Sequence, residues 1–362
     1  MSKRVLIAIM VLLLIAFTIS GCGRDNINPP TDHPQHTQSN PQNDFADSTV
    51  NLTSELTVLT DYLSAIRFEG DDFFETFLES GGASADSDVV DFLARKLETS
   101  GLFFGGNTFG CSTLAVESPE GERLFGQNFD WNHCDALIVK SKPERGYASI
   151  STVNTDFIQG ISFSSLSDEA KALIALYAPL DGMNEKGLAV SVNMISDGST
   201  ISQNTENPDI TTTTAIRLLL NKAATVDEAI ELLKEYDFHA SMNFMVHLAI
   251  ADANRNSVVV EYINDVMSIV ETPVVTNFYL TEGEKCGIGT QQSHTRYEML
   301  QERIKQGTMT MDDVRDALSS VSKGNFGEFE STEWSVVFNQ TTGEVHYYHR
   351  ENYKNKYTFT VK

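Results

Sequence analysis

The stretch from Gly110 to Trp131, "GCSTLAVESPEGERLFGQNFDW", constrains the fold of this chain more tightly than any other. "CSTLAVES" and "ERLFGQNFDW" run apolar or alternate with period two, and Pro119-Glu120-Gly121 supplies turn residues between them. The pattern predicts a β-hairpin whose first strand opens on a cysteine. Pairing about that turn sets Cys111 opposite Phe129 or Asp130, so the hairpin itself carries a carboxylate back to the thiol. Gly110, lacking a Cβ, permits unusual backbone geometry at the peptide bond before the cysteine. Taken alone, a cysteine in a strand is commonly a small buried hydrophobe.

The N-terminus speaks to compartment. Lys3 and Arg4 precede a short apolar run, Val5 to Thr18, which ends in Ile19-Ser20-Gly21-Cys22. A basic start, a short apolar middle and small residues describe a secretory signal over residues 1–21, whereas a spanning helix needs about 20 apolar residues. The Ile-Ser-Gly-Cys end resembles a bacterial lipobox, which implies lipid on Cys22 and an exported protein anchored at the outer face of the cell membrane. Loss of Lys3 and Arg4 with the signal takes the formal charge from −24 to −26. So acidic a chain is repelled by phosphate backbones, which argues against nucleic acid as a partner. Residues 22–50 hold four of the nine prolines amid Asn, Gln, Asp and Thr, a composition that cannot bury enough surface to fold, so they read as a disordered, lipid-anchored linker.

Beyond the linker the patterning changes. "LTVLTDYLSAI", "DDFFETFLESG" and "SDVVDFLARKLETSG" carry apolar residues at three- and four-residue spacings, predicting a helical segment over residues 51–110. "IRLLLNKAATVDEAIELLKEY" predicts two helices joined near Ala224-Thr225, with Thr225 to Glu228 as a capping box. "MNFMVHLAIADANRNSVVVEYIN" reads as a hairpin turning at 252–256, "VVTNFYL" as a strand, and "HTRYEMLQERI" and "TMDDVRDALSSV" as helices. "WSVVFNQTTGEVHYYH" closes with a hairpin about Thr342-Gly343. Strands grouped in hairpins and separated by helices predict antiparallel sheets covered by helices. No GxGxxG or P-loop is present to cradle a phosphate.

Four cysteines occur: Cys22, Cys111, Cys134 and Cys286. None has metal-ligand spacing, so no structural metal is expected. With Cys22 lipidated, the exported location leaves either a Cys134–Cys286 disulfide with Cys111 as the odd thiol, or free buried thiols. A thiol nucleophile needs a base. His133, His239, His247 and His294 stand in no recognisable papain-like context, and the other chemical solution is an N-terminal cysteine whose own α-amine is the base. That would require cutting the chain between Gly110 and Cys111.

The hairpin sequence, with Gly126-Gln127-Asn128-Phe129-Asp130, resembles the start of the mature chain in the choloylglycine hydrolase and penicillin V acylase family of N-terminal-nucleophile (Ntn) amide hydrolases. "DGMNEKGLAVSVN" (181–193), "HLAIADANRNSVVVE" (247–261), "VVTN" (274–277) and "SHTR" (293–296) continue the resemblance in order. It implies an α+β fold, the four-layer αββα sandwich. It also implies hydrolysis of a linear C–N amide in an N-acylated small molecule through a thioester, with no cofactor. By resemblance Cys111 is the nucleophile, Asp130 holds its α-amine, Asn277 and Asn193 serve the oxyanion, and Arg296 joins the charge network. Gln127 and Asn128 support the site. Gln127 replaces the arginine of bile salt hydrolases and penicillin V acylases, and in this the chain resembles the isopenicillin N acyltransferase and acid ceramidase relatives. Those relatives imply self-cleavage between Gly110 and Cys111, with residues 51–110 as a retained α-chain and 111–362 as the catalytic chain. Acyl transfer to an amine is the alternative outcome at the thioester. A non-catalytic surface binding lipoprotein on the same scaffold is the alternative outside enzymology.

Overall fold

The computed structural model describes residues 46–106, 110–160, 163–324, 326 and 330–362. Cys22 and most of the linker lie outside them. Two large sheets organise the chain. The first orders its strands as Ala46–Thr49, Asn355–Thr360, Glu344–His349, Ser331–Asn339, Arg123–Trp131, Gly110–Glu117 and Val274–Val275. The second runs Val266–Glu271, Ser257–Ile263, Val246–Ala251, Ala189–Met194, Asp181–Asn184, Ser149–Asn154, Ala136–Pro143, Leu63–Gly70 and Thr57–Thr60. Pairing is antiparallel throughout both, except that Ala46–Thr49 runs parallel to Asn355–Thr360 and Leu63–Gly70 parallel to Ala136–Pro143.

Alternation along each strand decides what lies on each face. In the hairpin, Cys111, Ala115, Phe125, Phe129 and Trp131 enter the main core between the sheets, while Leu114, Val116 and Leu124 join a second core beneath two helices. Those helices are α6 (Gln291–Ile304) and α7 (Met311–Ser320), which follow α1 (Phe74–Glu79), α2 (Asp86–Leu97), α3 (Asp168–Leu176), α4 (Thr212–Lys222) and α5 (Val226–Lys234) along the chain. Gly126 faces α7, where a Cβ would come within 2.6 Å of Val314 and 2.9 Å of Leu114, so only glycine lets the helix seat this closely. On the far side, the helices Thr212–Lys222 and Val226–Lys234 cover the second sheet, meeting near Ala224-Thr225 as their pattern predicts. The Thr225 side chain accepts from Glu228 N, and Glu228 reaches back to Ala224 N. The layers are helix, sheet, sheet, helix, the α+β arrangement expected.

Two expectations need correction. "LTVLTDYLSAI" forms two strands, Thr57–Thr60 and Leu63–Gly70, instead of a helix. Its apolar spacing is short enough to fit either period, its Thr, Val and Ile content favours strand, and eight parallel rungs against Ala136–Pro143 decide the matter. Residues 51–110 are therefore only partly helical, with Phe74–Glu79 and Asp86–Leu97 as helices, and they are woven into the second sheet. The linker reading also stops early, because Ala46–Thr49 is already a strand. "VVTNFYL" contributes a short strand, Val274–Val275.

Across the interior, Trp334 Nε1 donates to Asp181 Oδ2 at 2.8 Å, tying one sheet to the other, while Trp334 stacks on Phe129 with ring centroids 4.0 Å apart. Burial pushes the Asp181 carboxyl up from 3.8 to about 7, with the Trp334 donor opposing. A carboxyl raised in the native state favours the protonated form there, so its contribution is harmless below pH 4 and costs stability as pH rises through 7. Asp181→Asn keeps an acceptor for Trp334 without the charge. It is expected to stabilise the fold by a few kcal/mol at pH 8 and by little at pH 4, read from urea unfolding at both pH values.

Candidate active site

Strand register assembles the site. Across the hairpin Cys111 pairs with Phe129 and Gly110 with Asp130, the first of the two registers the sequence allows, which places the carboxylate one rung from the thiol. On its other edge, Thr113 pairs with Val275 and Leu114 with Val274, so continuing the antiparallel register brings Asn277 level with Cys111. Cys111 N donates to Asn277 Oδ1 at 3.1 Å. Asn277 Nδ2 donates to Met194 O at 2.8 Å, which sets one of its two N–H bonds and leaves a second for another acceptor.

Arg296 enters from α6 and is buried among acceptors. Its guanidinium donates to Cys111 O at 2.8 Å, to Asn277 Oδ1 at 2.7 Å, to Asp130 Oδ2 at 3.4 Å and to the Ser112 hydroxyl. Asp130 is fully buried, accepts from Thr332 Oγ1 at 2.7 Å, and lies 3.3 Å from Lys323 Nζ. Lys323 in turn pairs with Glu330 at 2.6 Å. Two cations thus flank one carboxylate in a place where an unpaired charge would be costly. Gly110 lies against this pair: a Cβ there would come within 2.8 Å of Lys323 Nζ and meet the Glu330 carboxylate.

Burial pushes the Cys111 thiol well above its ordinary range, and the Asp130 charge pushes the same way, with Arg296 opposing. The resting group is therefore the neutral thiol, and a nucleophilic role needs a base to take its proton. The hydrogen bonds of the four histidines considered from sequence go elsewhere: His133 to Asp156, His239 to Asp209, His294 to Gly287 O, and His247 to Glu261 and Thr276 O.

The remaining expected residues divide by face. Asn193 lies on the second sheet beside Met194, whose carbonyl holds Asn277; its Oδ1 accepts from Ser191 at 3.4 Å and its Nδ2 has no protein partner. Gln127 is fully buried on the face shared with Cys111, and neither amide atom has a partner. Asn128 turns toward the helices, donating to Leu318 O at 2.9 Å and accepting from Ser335 at 2.6 Å, so it locks α7 to the hairpin. Ser112, Thr332, Lys323 and Glu330 were not foreseen. Thr332 is the strand partner of Asp130, which a longer-range pairing argument could have reached, but nothing in the pattern after α7 marks Lys323.

The disulfide reading fails. Cys134 and Cys286 are both free: Cys134 is buried beside the Ala136–Pro143 strand, and Cys286 is exposed in the loop before α6. Among the described residues no group of three His, Cys, Asp or Glu side chains could hold a metal ion.

The family model described as acyl-coenzyme A:6-aminopenicillanic acid acyl-transferase matches residues 116–354. The chain belongs to this family. The match in this acyl-transferase family begins within the strand that Cys111 opens and takes in Asp130, Asn193, Asn277 and Arg296. Two variants of the conjugated bile acid hydrolase from Clostridium perfringens share the fold with TM-scores of 0.52, at 18% and 16% identity. Each alignment covers 69% of this chain and 92% of the other. Penicillin V acylase from Agrobacterium tumefaciens is a weaker structural match, with TM-score 0.43 and 16% identity over 66% of this chain and 83% of that one. Among curated proteins nothing matches. The fold of this family member is that of the Ntn hydrolases.

Proposed function

We propose that this chain is an exported, lipid-anchored Ntn amidase that cuts itself between Gly110 and Cys111 and then hydrolyses a linear amide of an N-acylated small molecule. One observation carries the reading: the polar groups converge on the main chain of Cys111. Asn277 accepts from its N–H and Arg296 donates to its carbonyl, while Asp130 lies one rung away. A site for a thiol–imidazole pair would gather around the sulfur. This one gathers where a free α-amine would stand.

In self-cleavage the Cys111 sulfur attacks the Gly110 carbonyl and its proton passes to the departing amide nitrogen, leaving a thioester and a free amine. Water then releases Gly110 as a carboxylate. In turnover the α-amine takes the thiol proton as sulfur attacks the substrate carbonyl, and gives it to the leaving amine. The second Asn277 N–H faces the developing oxyanion, a donor worth about 3–4 kcal/mol. Water attacks the thioester to release the acid. Because the family's description names acyl transfer, attack by an amine is the second reading.

The test is intact mass and N-terminal sequencing of protein lacking residues 1–22, followed by incubation with N-acyl amides with and without added primary amine. Two fragments are expected, one starting Cys-Ser-Thr-Leu, with free acid as the product. New amide in place of acid would establish transfer. An uncut chain with full turnover would overturn the reading.

A further inference from the structure

Asn277 is held by more than its own contacts. The strand Val246–Ala251 carries His247 into the interior, where its side chain is fully buried. His247 Nε2 lies 2.7 Å from Thr276 O, the carbonyl of the peptide bond that leads into Asn277. A carbonyl only accepts, so Nε2 carries a proton. His247 Nδ1 lies 3.0 Å from Glu261 Oε1, whose side chain is also fully buried. Glu261 further accepts from Leu280 N at 2.9 Å and Thr281 N at 2.8 Å. Burial opposes its charge, yet His247 and these donors hold its carboxyl at about 2. An acceptor therefore stands at each nitrogen of the imidazole, and the ring is held from both sides.

The consequence is mechanical. Residue 276 is gripped from His247 and residues 280 and 281 from Glu261, so the hydrogen-bonded pair brackets Asn277 in the chain. On the remaining side, Thr276 Oγ1 donates to Ser293 O at 3.0 Å, coupling the same residue to the start of α6 and to Arg296 one turn on. None of these atoms touches Cys111. A buried pair of this kind is weak support for stability and better suited to fixing a geometry.

We propose that the His247–Glu261 pair is a positioning device that sets the Asn277 amide for the oxyanion, and that it acts through Asn277 alone. This rests on the amidase reading above. Misplacing a donor by a fraction of an ångström is costly: a displacement of about 1 Å in an active site can cost roughly 100-fold.

The experiment measures kcat and KM on an N-acyl amide for the processed wild type and for Glu261→Gln, His247→Gln and Asn277→Ala, with each of the first two also combined with Asn277→Ala. Circular dichroism and melting check the fold. The expected result is a fall in kcat of about 10- to 100-fold for Glu261→Gln and His247→Gln, with KM within about twofold. Once Asn277 is alanine, no further loss is expected from either change. A structural role would show the same loss in both backgrounds, and that result, or an unchanged kcat in folded variants, overturns the proposal. If His247→Gln does not fold, Glu261→Gln decides; failure of both to fold also overturns it in favour of a structural role. No turnover by wild type, or turnover that survives Cys111→Ala, sinks the amidase reading first, and the proposal with it.

Discussion

On the proposed mechanism a Cys111→Ala chain is expected to remain uncut and to lose about a millionfold in kcat, falling to background, because a nucleophile and the machinery around it act as a unit. The change removes one sulfur from the interface between the sheets and leaves every backbone contact of residue 111 available. Asn277 Oδ1 can still accept from its N–H and Arg296 can still donate to its carbonyl. The melting temperature should therefore shift by only a few degrees. Intact mass reports the cleavage, and a coupled assay for free acid reports turnover. The same variant separates an enzyme from a binding lipoprotein, since a binder would keep its ligand without the thiol. A cut and active alanine variant would place the nucleophile elsewhere.

The second large effect concerns Asp130. Its carboxylate is the shared partner of Arg296 and Lys323, both almost fully buried. Asp130→Ala leaves Arg296 with no carboxylate in contact and Lys323 with Glu330 alone, which is expected to destabilise the fold by about 3–5 kcal/mol in urea unfolding. Asp130→Asn keeps the acceptor for Thr332 and most of the shape, so it should cost less stability than Asp130→Ala while still leaving the two cations without their shared charge. A drop of roughly 100- to 10,000-fold in kcat is expected, with slower appearance of the fragment starting at Cys111. Combining Asp130→Asn with Lys323→Met removes one charge of each sign and should recover part of the stability without the activity. Full activity in Asp130→Asn would show that the carboxylate serves only to balance the buried cations.

What could be read before folding follows from how local each interaction is. The hairpin needed only its turn, since Pro119 to Gly121 and the alternation on either side set Cys111 opposite Phe129 or Asp130, and the fold takes the first of these. The Thr212–Lys222 and Val226–Lys234 helices were legible for the same reason, their caps and stops lying within a few residues. That Asp130, Asn277 and Arg296 gather around Cys111 was legible through resemblance, because short blocks in a fixed order stand for a geometry that no single block contains.

The strands at 57–70 show where such reading fails. Their apolar spacing is ambiguous over so few residues, and the parallel partner that decides it starts some seventy positions later, at Ala136. The cysteines failed for a related reason, since parity and compartment say nothing about distance, and Cys134 and Cys286 fold into different surroundings. Lys323 against Asp130 and His247 beneath Asn277 were hidden likewise. A lysine after a helix carries no local mark of its partner, and although Glu261 lies across the hairpin from His247, nothing local marks Thr276. By itself the sequence determined the hairpin, its register to within one residue and the chemistry it could bear, because these depend on neighbours in the chain. The buried cations beside Asp130 were decided only when the segments carrying Arg296 and Lys323 packed onto the first sheet, and the grip of His247 on Thr276 only when the second sheet closed on the end of the Val274–Val275 strand.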